Sequence, residues 1–145
     1  LREAAGDMSM TLHRAFDMCA DPYEALEQAK GLGVQTILTS GQKADCTQGR
    51  ELIARLVRES GGQVDIMAGG GVDAAVIRQM VPATGASSYH MSGKTVLDSG
   101  MSYRKEEVSM GVPGLGEYEI FRTAREKIRA ARQVLDEAAA LTAGE

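Results

Sequence analysis

Residues 10–17 read MTLHRAFD. Met10, Thr11 and Leu12 have the apolar and β-branched character of a strand. The stretch then ends in His13, Arg14 and Asp17, charged or titratable groups set around Ala15 and Phe16. In a strand over 8–14, placing Met10 and Leu12 on one face puts Thr11 and His13 on the other. A polar strand-to-loop exit accounts for such an ending. So does the floor of a binding site, and the rest of the chain has to weigh the two.

Three further stretches repeat the theme: VQTILTS (34–40), QVDIMA (63–68) and ASSYHM (86–91). Helical patterns lie between them. Asp21-Pro22-Tyr23-Glu24 opens a helix with a cap, a proline at the first helical position and a capping-box glutamate. Leu26 and Ala29 share its apolar face, and Gly31 or Gly33 ends it. Residues 45–60 make a helix with Leu52, Ile53, Leu56 and Val57 on the buried stripe, stopped by Gly61-Gly62. Asp73 caps the next, which carries Val76, Ile77 and Met80 and which Pro82 terminates. Residues 92–118 hold Gly93, Gly100, Gly111, Gly114, Gly116 and Pro113, and read as a long irregular loop. Thr123 and Glu126 then cap a last helix with Ile128, Ala131, Leu135 and Ala138 on one face.

The order is strand then helix, four times, so the fold class is α/β with a parallel sheet. Residues 1–145 suffice for one domain. Two architectures fit: a small doubly wound sheet, or the last four or so units of a TIM (β/α)8 barrel, whose complete form takes about 250 residues. Leu1 to Ala5 reads as the end of a preceding unit, and the absence of an initiator Met reads as truncation.

The formal net charge of −4 argues against nucleic acid or an anionic membrane surface as partner. No apolar run reaches the roughly 18 residues of a membrane span. Cys19 and Cys46 are too few for a disulfide framework and suggest free thiols in a reducing, cytoplasmic setting.

In a parallel α/β sheet, sites gather at the carboxyl ends of strands. Here those ends read HRAFD (13–17), TSGQ (39–42), AGGG (68–71) and HMSG (90–93), all polar or glycine-rich. His13 is an acid–base candidate. Arg14 suits a carboxylate or phosphate, and Asp17 can orient either. Gly69, Gly70 and Gly71 before a capped helix suggest an anion cradle. Thr39, Ser40, Gly41 and His90 complete the candidate anion-binding set. For a metal, Cys19 and Cys46 are the soft-ligand candidates, without the spacing of a dedicated site.

TLHRAFDMCADPYEALEQ, GVQTILTSGQKADCTQG, IMAGGGV and YHMSGK…GMSYRKEEVSMG, in this order and spacing, resemble the copper homeostasis protein CutC family from about Thr11 to Met110. The resemblance implies a TIM barrel of which this chain is the carboxyl-terminal half. It implies a polar mouth at His13, Arg14, Asp17, Thr39, Ser40, Gly41, Gly69 to Gly71 and His90, and a cytoplasmic role in copper handling. Copper is the metal or cofactor it implies; none is evident from the residues. The family's proposed copper-binding cysteines fall in the part not represented here, so Cys19 and Cys46 inherit no ligand role. The expected partner is thus a copper ion or, on the alternative reading, the small anionic substrate of a barrel enzyme, for example a phosphorylated one. Whether the protein is an enzyme stays open at this stage. Open sheet edges add a homo-oligomer as a further expectation.

Overall fold

The computed structural model describes residues 2–105, 107–108, 110 and 116–142. A short helix α1 (Arg2–Ala5) precedes β1 (Thr11–Leu12), a 3-10 helix (Arg14–Met18), α2 (Pro22–Gly31), β2 (Thr36–Thr39), α3 (Arg50–Ser60), β3 (Asp65–Gly69), α4 (Ala74–Thr84), β4 (Ser88–His90), β5 (Lys94–Asp98), β6 (Glu119–Thr123) and α5 (Arg125–Thr142). The first four strands form one parallel sheet in the order β1-β2-β3-β4.

The register separates the two faces of this sheet. Leu12, Ile37, Ile66, Ala68 and Tyr89 share one face. They pack with Leu26 and Ala29 of α2, Ile53 and Leu56 of α3, Ile77 and Met80 of α4, and Ala131 and Val134 of α5. Helices α2 to α5 therefore cover one side only. A doubly wound sheet has helices on both sides and a break in strand order. Sequential parallel strands with helices on a single face are the arrangement of a partial barrel. The other face carries Thr11, Thr36, Leu38, Asp65, Met67 and Ser88.

Local chemistry sets the helix ends. Asp21 accepts hydrogen bonds from the Tyr23 and Glu24 amides, and Asp73 accepts one from Val76, as the sequence predicts. The capping box is not closed, because Glu24 takes the Gln28 amide instead. Helix α3 starts at Arg50, not at 45. The Asp45 carboxylate is occupied by the Thr47 hydroxyl and by the Gln48 amide and side chain, so it shapes a turn before the helix.

Pro82 does not terminate α4. The helix continues through it to Thr84 and ends at Gly85, in the left-handed conformation that favours glycine. Each strand is shorter than the sequence pattern suggests, β1 most of all.

The expected irregular loop over 92–118 contains a strand. Residues Lys94–Asp98 pair antiparallel with Glu119–Thr123 to make a two-stranded ribbon. Its only local signal is the β-branched and aromatic content of KTVLD and EIFRT. Gly111, Pro113 and Gly114 of that loop lie outside the described residues. Thr123 closes β6 and donates to the Ser92 carbonyl, so it does not cap α5.

Pro82 is solvent-exposed and lacks the amide that would bond the Arg78 carbonyl one turn back. Replacing Pro82 with Ala restores that bond. The expected outcome is a gain of about 1–3 kcal/mol in unfolding free energy, read as a higher urea midpoint at unchanged slope. An unchanged or lower midpoint would show that the ring is accommodated without cost.

Candidate functional site

The carboxyl ends of β1 and β2 are tied together by one carboxylate. Asp17 sits on the 3-10 helix that follows β1, with 8% of its side chain exposed. It accepts hydrogen bonds from the Thr39 hydroxyl (2.5 Å), the Ser40 amide (3.0 Å) and the Gln42 amide (3.1 Å). Arg14 Nε adds a charged bond at 2.8 Å. Burial pushes the Asp17 carboxyl up. The Thr39 hydroxyl, the Arg14 guanidinium and the Ser40 and Gln42 amides outweigh it and hold the pKa below its ordinary 3.8.

Arg14 is held as firmly. Its Nη2 donates to Ser40 Oγ at 2.6 Å and to the Lys43 carbonyl at 3.3 Å. Its Nη1 has no hydrogen-bond partner among the described residues, and the side chain is 44% exposed. Gly70 keeps this nitrogen open, since a Cβ there would lie 3.5 Å from Nη1. The Gly70 carbonyl accepts from the Cys46 amide, which joins the third strand's exit to the second's.

The loop between β2 and α3 crosses itself tightly. A Cβ on Gly49 would stand 1.9 Å from the Ser40 carbonyl oxygen, and one on Gly41 2.3 Å from that of Gly49. Only glycine fits at either place. Gln42 has φ +57°, the one positive value outside glycine among the described residues, and its side chain donates to the Cys19 carbonyl. Sequence reasoning missed Gln42, Lys43 and Asp45. The density of turn formers in SGQKAD was their only local sign.

The structure thus sorts the sequence-predicted residues. Thr39, Ser40 and Gly41 are buried beneath the mouth. Their hydrogen-bonding capacity goes to Asp17, Arg14, Lys43 and one another. They support the site and do not reach a ligand. Asp17 is a positioning residue for the same reason. Gly69 lies inside β3, where a Cβ would meet Leu38.

His13 and His90 are both exposed, at the ends of β1 and β4. These are the outer strands, about 14 Å apart at three strand spacings, so the two imidazoles do not form one cluster. His13 Nδ1 accepts from the Ala15 amide at 2.9 Å. That bond makes Nε2 the proton-bearing nitrogen of the neutral ring, which presents a donor to solvent.

The expected cradle at the start of α4 has a built-in anion. The Asp73 carboxylate occupies that helix terminus through Val76. Beside it lies a cavity of about 350 Å³ bounded by Val72, Asp73, Met91, Lys94 and Lys127.

The thiols do not suit a copper(I) site. Cys46 is fully buried in the core, and burial pushes its pKa up. Burial also raises Cys19, whose sulfur lies 3.5 Å from the Gln42 amide. Among the described residues no group of three or more His, Cys, Asp and Glu is placed to hold a metal ion, and no helix is long and apolar enough to cross a membrane.

A model of the CutC family matches residues 1–95. A CutC family protein of Parabacteroides distasonis is 46% identical over 131 residues, which are 90% of this chain and 54% of that protein. One from Chromobacterium violaceum is 38% identical over 138 residues, 95% of this chain and 56% of that protein. The chain spans about half the length of the curated relatives it matches. Its fold is similar to a crystal structure described as a copper homeostasis protein CutC from Streptococcus agalactiae. There the TM-score is 0.57 and the identity 27%, over 61% of this chain and 44% of that one.

Removing the Asp17 carboxylate leaves Thr39, Ser40 and Gln42 donors unpaired and Arg14 without its counter-ion. Asp17→Ala is expected to cost about 3 kcal/mol of stability. Because the folded pKa lies below the unfolded one, the carboxylate's contribution is complete above about pH 5 and disappears as the pH falls through 3.8 and lower. Urea unfolding at a series of pH values checks both points: the stability gap between the native chain and Asp17→Asn should narrow on acidification across that window. A gap that stays constant would remove Asp17 from the account.

Proposed function

The chain belongs to the CutC family, and from that premise we propose that it serves copper homeostasis in the cytoplasm by binding a small anionic ligand at the carboxyl edge of its sheet. The observation that carries this reading is the Arg14 guanidinium. It is locked on one side by Asp17 and Ser40, and it presents Nη1 to the space that Gly70 leaves open. A planar, pre-oriented guanidinium with a free edge suits a carboxylate or phosphate oxygen. His13 adds an outward Nε2–H donor at the same strand exit.

Copper ligation by these residues does not fit the donor set, because the two thiols are raised in pKa and one is fully buried. No copper step is therefore assigned to this chain. The alternative of a barrel enzyme on a phosphorylated substrate uses the same residues. In that reading Arg14 binds the anion and the Nε2–H of His13 donates a hydrogen bond to it.

Calorimetric titration with inorganic phosphate and with malonate tests the proposal. The native chain is expected to bind at least one of the two saturably. His13→Ala should weaken that binding about tenfold to a hundredfold, the loss of one donor to a charged group, with an unchanged circular dichroism spectrum. His13→Asn, which can still accept from Ala15, controls for loss of the turn. Failure of the native chain to bind either anion would overturn the reading.

A further inference from the structure

We infer that the cleft between the starts of α4 and α5 is a binding site for a free α-amino acid with an aliphatic side chain, separate from the Arg14 edge. The cleft is built around Gly93, which stands between β4 and β5 at φ +56°. A Cβ there would lie 2.6 Å from Ile128 Cδ1. The Gly93 carbonyl accepts the Ala124 amide at 2.9 Å. This glycine lets the first turns of α5 close against the exit of β4, beside the start of α4. Between them lies the cavity of about 350 Å³, within the range of small-molecule sites, about 300–1,000 Å³.

Its walls are of three kinds. Val72, Met91 and Ala130 give apolar surface, and a methionine adapts its shape to what it covers. Asp73 supplies a carboxylate. It accepts the Val76 amide at 2.8 Å through Oδ1, and it has no ion pair among the described residues. Lys127 supplies an ammonium. Its Nζ donates to the Lys94 carbonyl at 2.7 Å, which holds it on the β5 side of the cleft and leaves it protons to give. Opposite charges therefore line one cavity without neutralising each other.

That arrangement selects the ligand. A phosphate or dicarboxylate that paired with Lys127 would be repelled by Asp73, and a simple amine would meet the reverse case. An uncharged hydrocarbon would strip water from both charges and return nothing. An α-amino acid carries a carboxylate, an ammonium and a side chain on one carbon, one group for each kind of wall. Its carboxylate meets Lys127 and the Ser92 hydroxyl, its ammonium meets Asp73, and its aliphatic side chain covers Val72, Met91 and Ala130. Lys94 does not make a second anion contact, because its ammonium stands over the Phe121 ring at 4.2 Å. The charged rim is exposed, so the binding is weak and reversible.

Titration of the ¹⁵N-labelled 145-residue chain with L-leucine, followed by amide chemical shifts, tests this. Saturable shifts are expected at Ala74, Met91, Ser92 and Gly93. Two analogues dissect the contacts: 4-methylpentanoate lacks the ammonium of leucine, and 3-methylbutylamine lacks the carboxylate. Each should bind about tenfold or more weakly than leucine, the loss of one charged hydrogen bond. Lys127→Met should weaken leucine binding by a similar factor. Asp73→Ser, which keeps a helix cap and removes the charge, should do the same and abolish the preference for leucine over 4-methylpentanoate. Asp73→Asn repeats that test with a second capping residue, and circular dichroism confirms that each variant folds.

Absence of saturable shifts overturns the proposal. So do shifts confined to the His13–Arg14 exit, which would place the amino acid at the sheet edge. An analogue that binds as tightly as leucine, or folded Lys127 and Asp73 variants that bind it unchanged, would each do the same.

Discussion

A carboxylate with only 8% of its side chain exposed must be satisfied by donors from several directions, and Asp17 draws the exits of β1 and β2 together to meet that condition. Thr39 and Ser40 reach it from the end of β2, Gln42 from the loop beyond, and Arg14 from one turn back along its own helix. The path of the 41–49 loop follows from these bonds. The chain can return against itself at Gly41 and Gly49 only because neither has a side chain. Once the loop is folded, the Cys46 amide reaches the Gly70 carbonyl and the end of β3 is fixed as well. The carboxyl edge of the sheet is thus a frame in which the buried polar groups answer one another. What remains for a ligand is the outer edge of Arg14 and the outward nitrogen of His13.

The elements that were legible in the sequence are those whose cause is local. Asp21 and Asp73 cap their helices because the cap bond needs nothing beyond three residues. Ile53 and Leu56, and Ile77 and Met80, are buried because their spacing puts each pair on one helix face. The misplaced elements depend on partners far along the chain. Asp45 reads from the sequence as the first residue of a helix, yet it is taken by Thr47 and Gln48 in a turn whose position is set by Asp17 and Gly70. The start of α3 moves to Arg50 as a result. Pro82 stays helical because the α4–α5 packing and Gly85 carry the last turn past it. The ribbon was hidden because twenty residues, 99–118, separate KTVLD from EIFRT, and each is unremarkable alone.

The same division runs through the site. That the polar exits of the strands share one end of the sheet follows from chain direction in parallel strands, and the sequence shows it. Which of those groups face a ligand does not follow. Thr39, Ser40 and Gly41 have the right chemistry for anion contact and are buried under it. His13 and His90 look like a pair in a one-dimensional reading and stand on opposite outer strands. The direction of the His13 proton depends on the Ala15 amide, and the openness of Arg14 Nη1 depends on Gly70. Both are relations between backbone and side chain that residue type alone does not express.

The two surfaces left uncovered by α2 to α5 differ in chemistry, and that difference determines what each can take. The open side of the parallel sheet carries Thr11, Thr36, Asp65 and Ser88 beside Leu38 and Met67. Covering it dry would strip water from hydroxyls and a carboxylate, which costs several kcal/mol unless the covering surface returns hydrogen bonds. An apolar face cannot do that, whereas the polar interior of matching β/α units can. The ribbon is the reverse case. Val96, Leu97, Ile120 and Phe121 gain by leaving water at about 25 cal/mol per Å², with Lys94, Asp98 and Glu119 at the ends and Arg122 one pair in. The ribbon face is therefore a poor complement to the open sheet face.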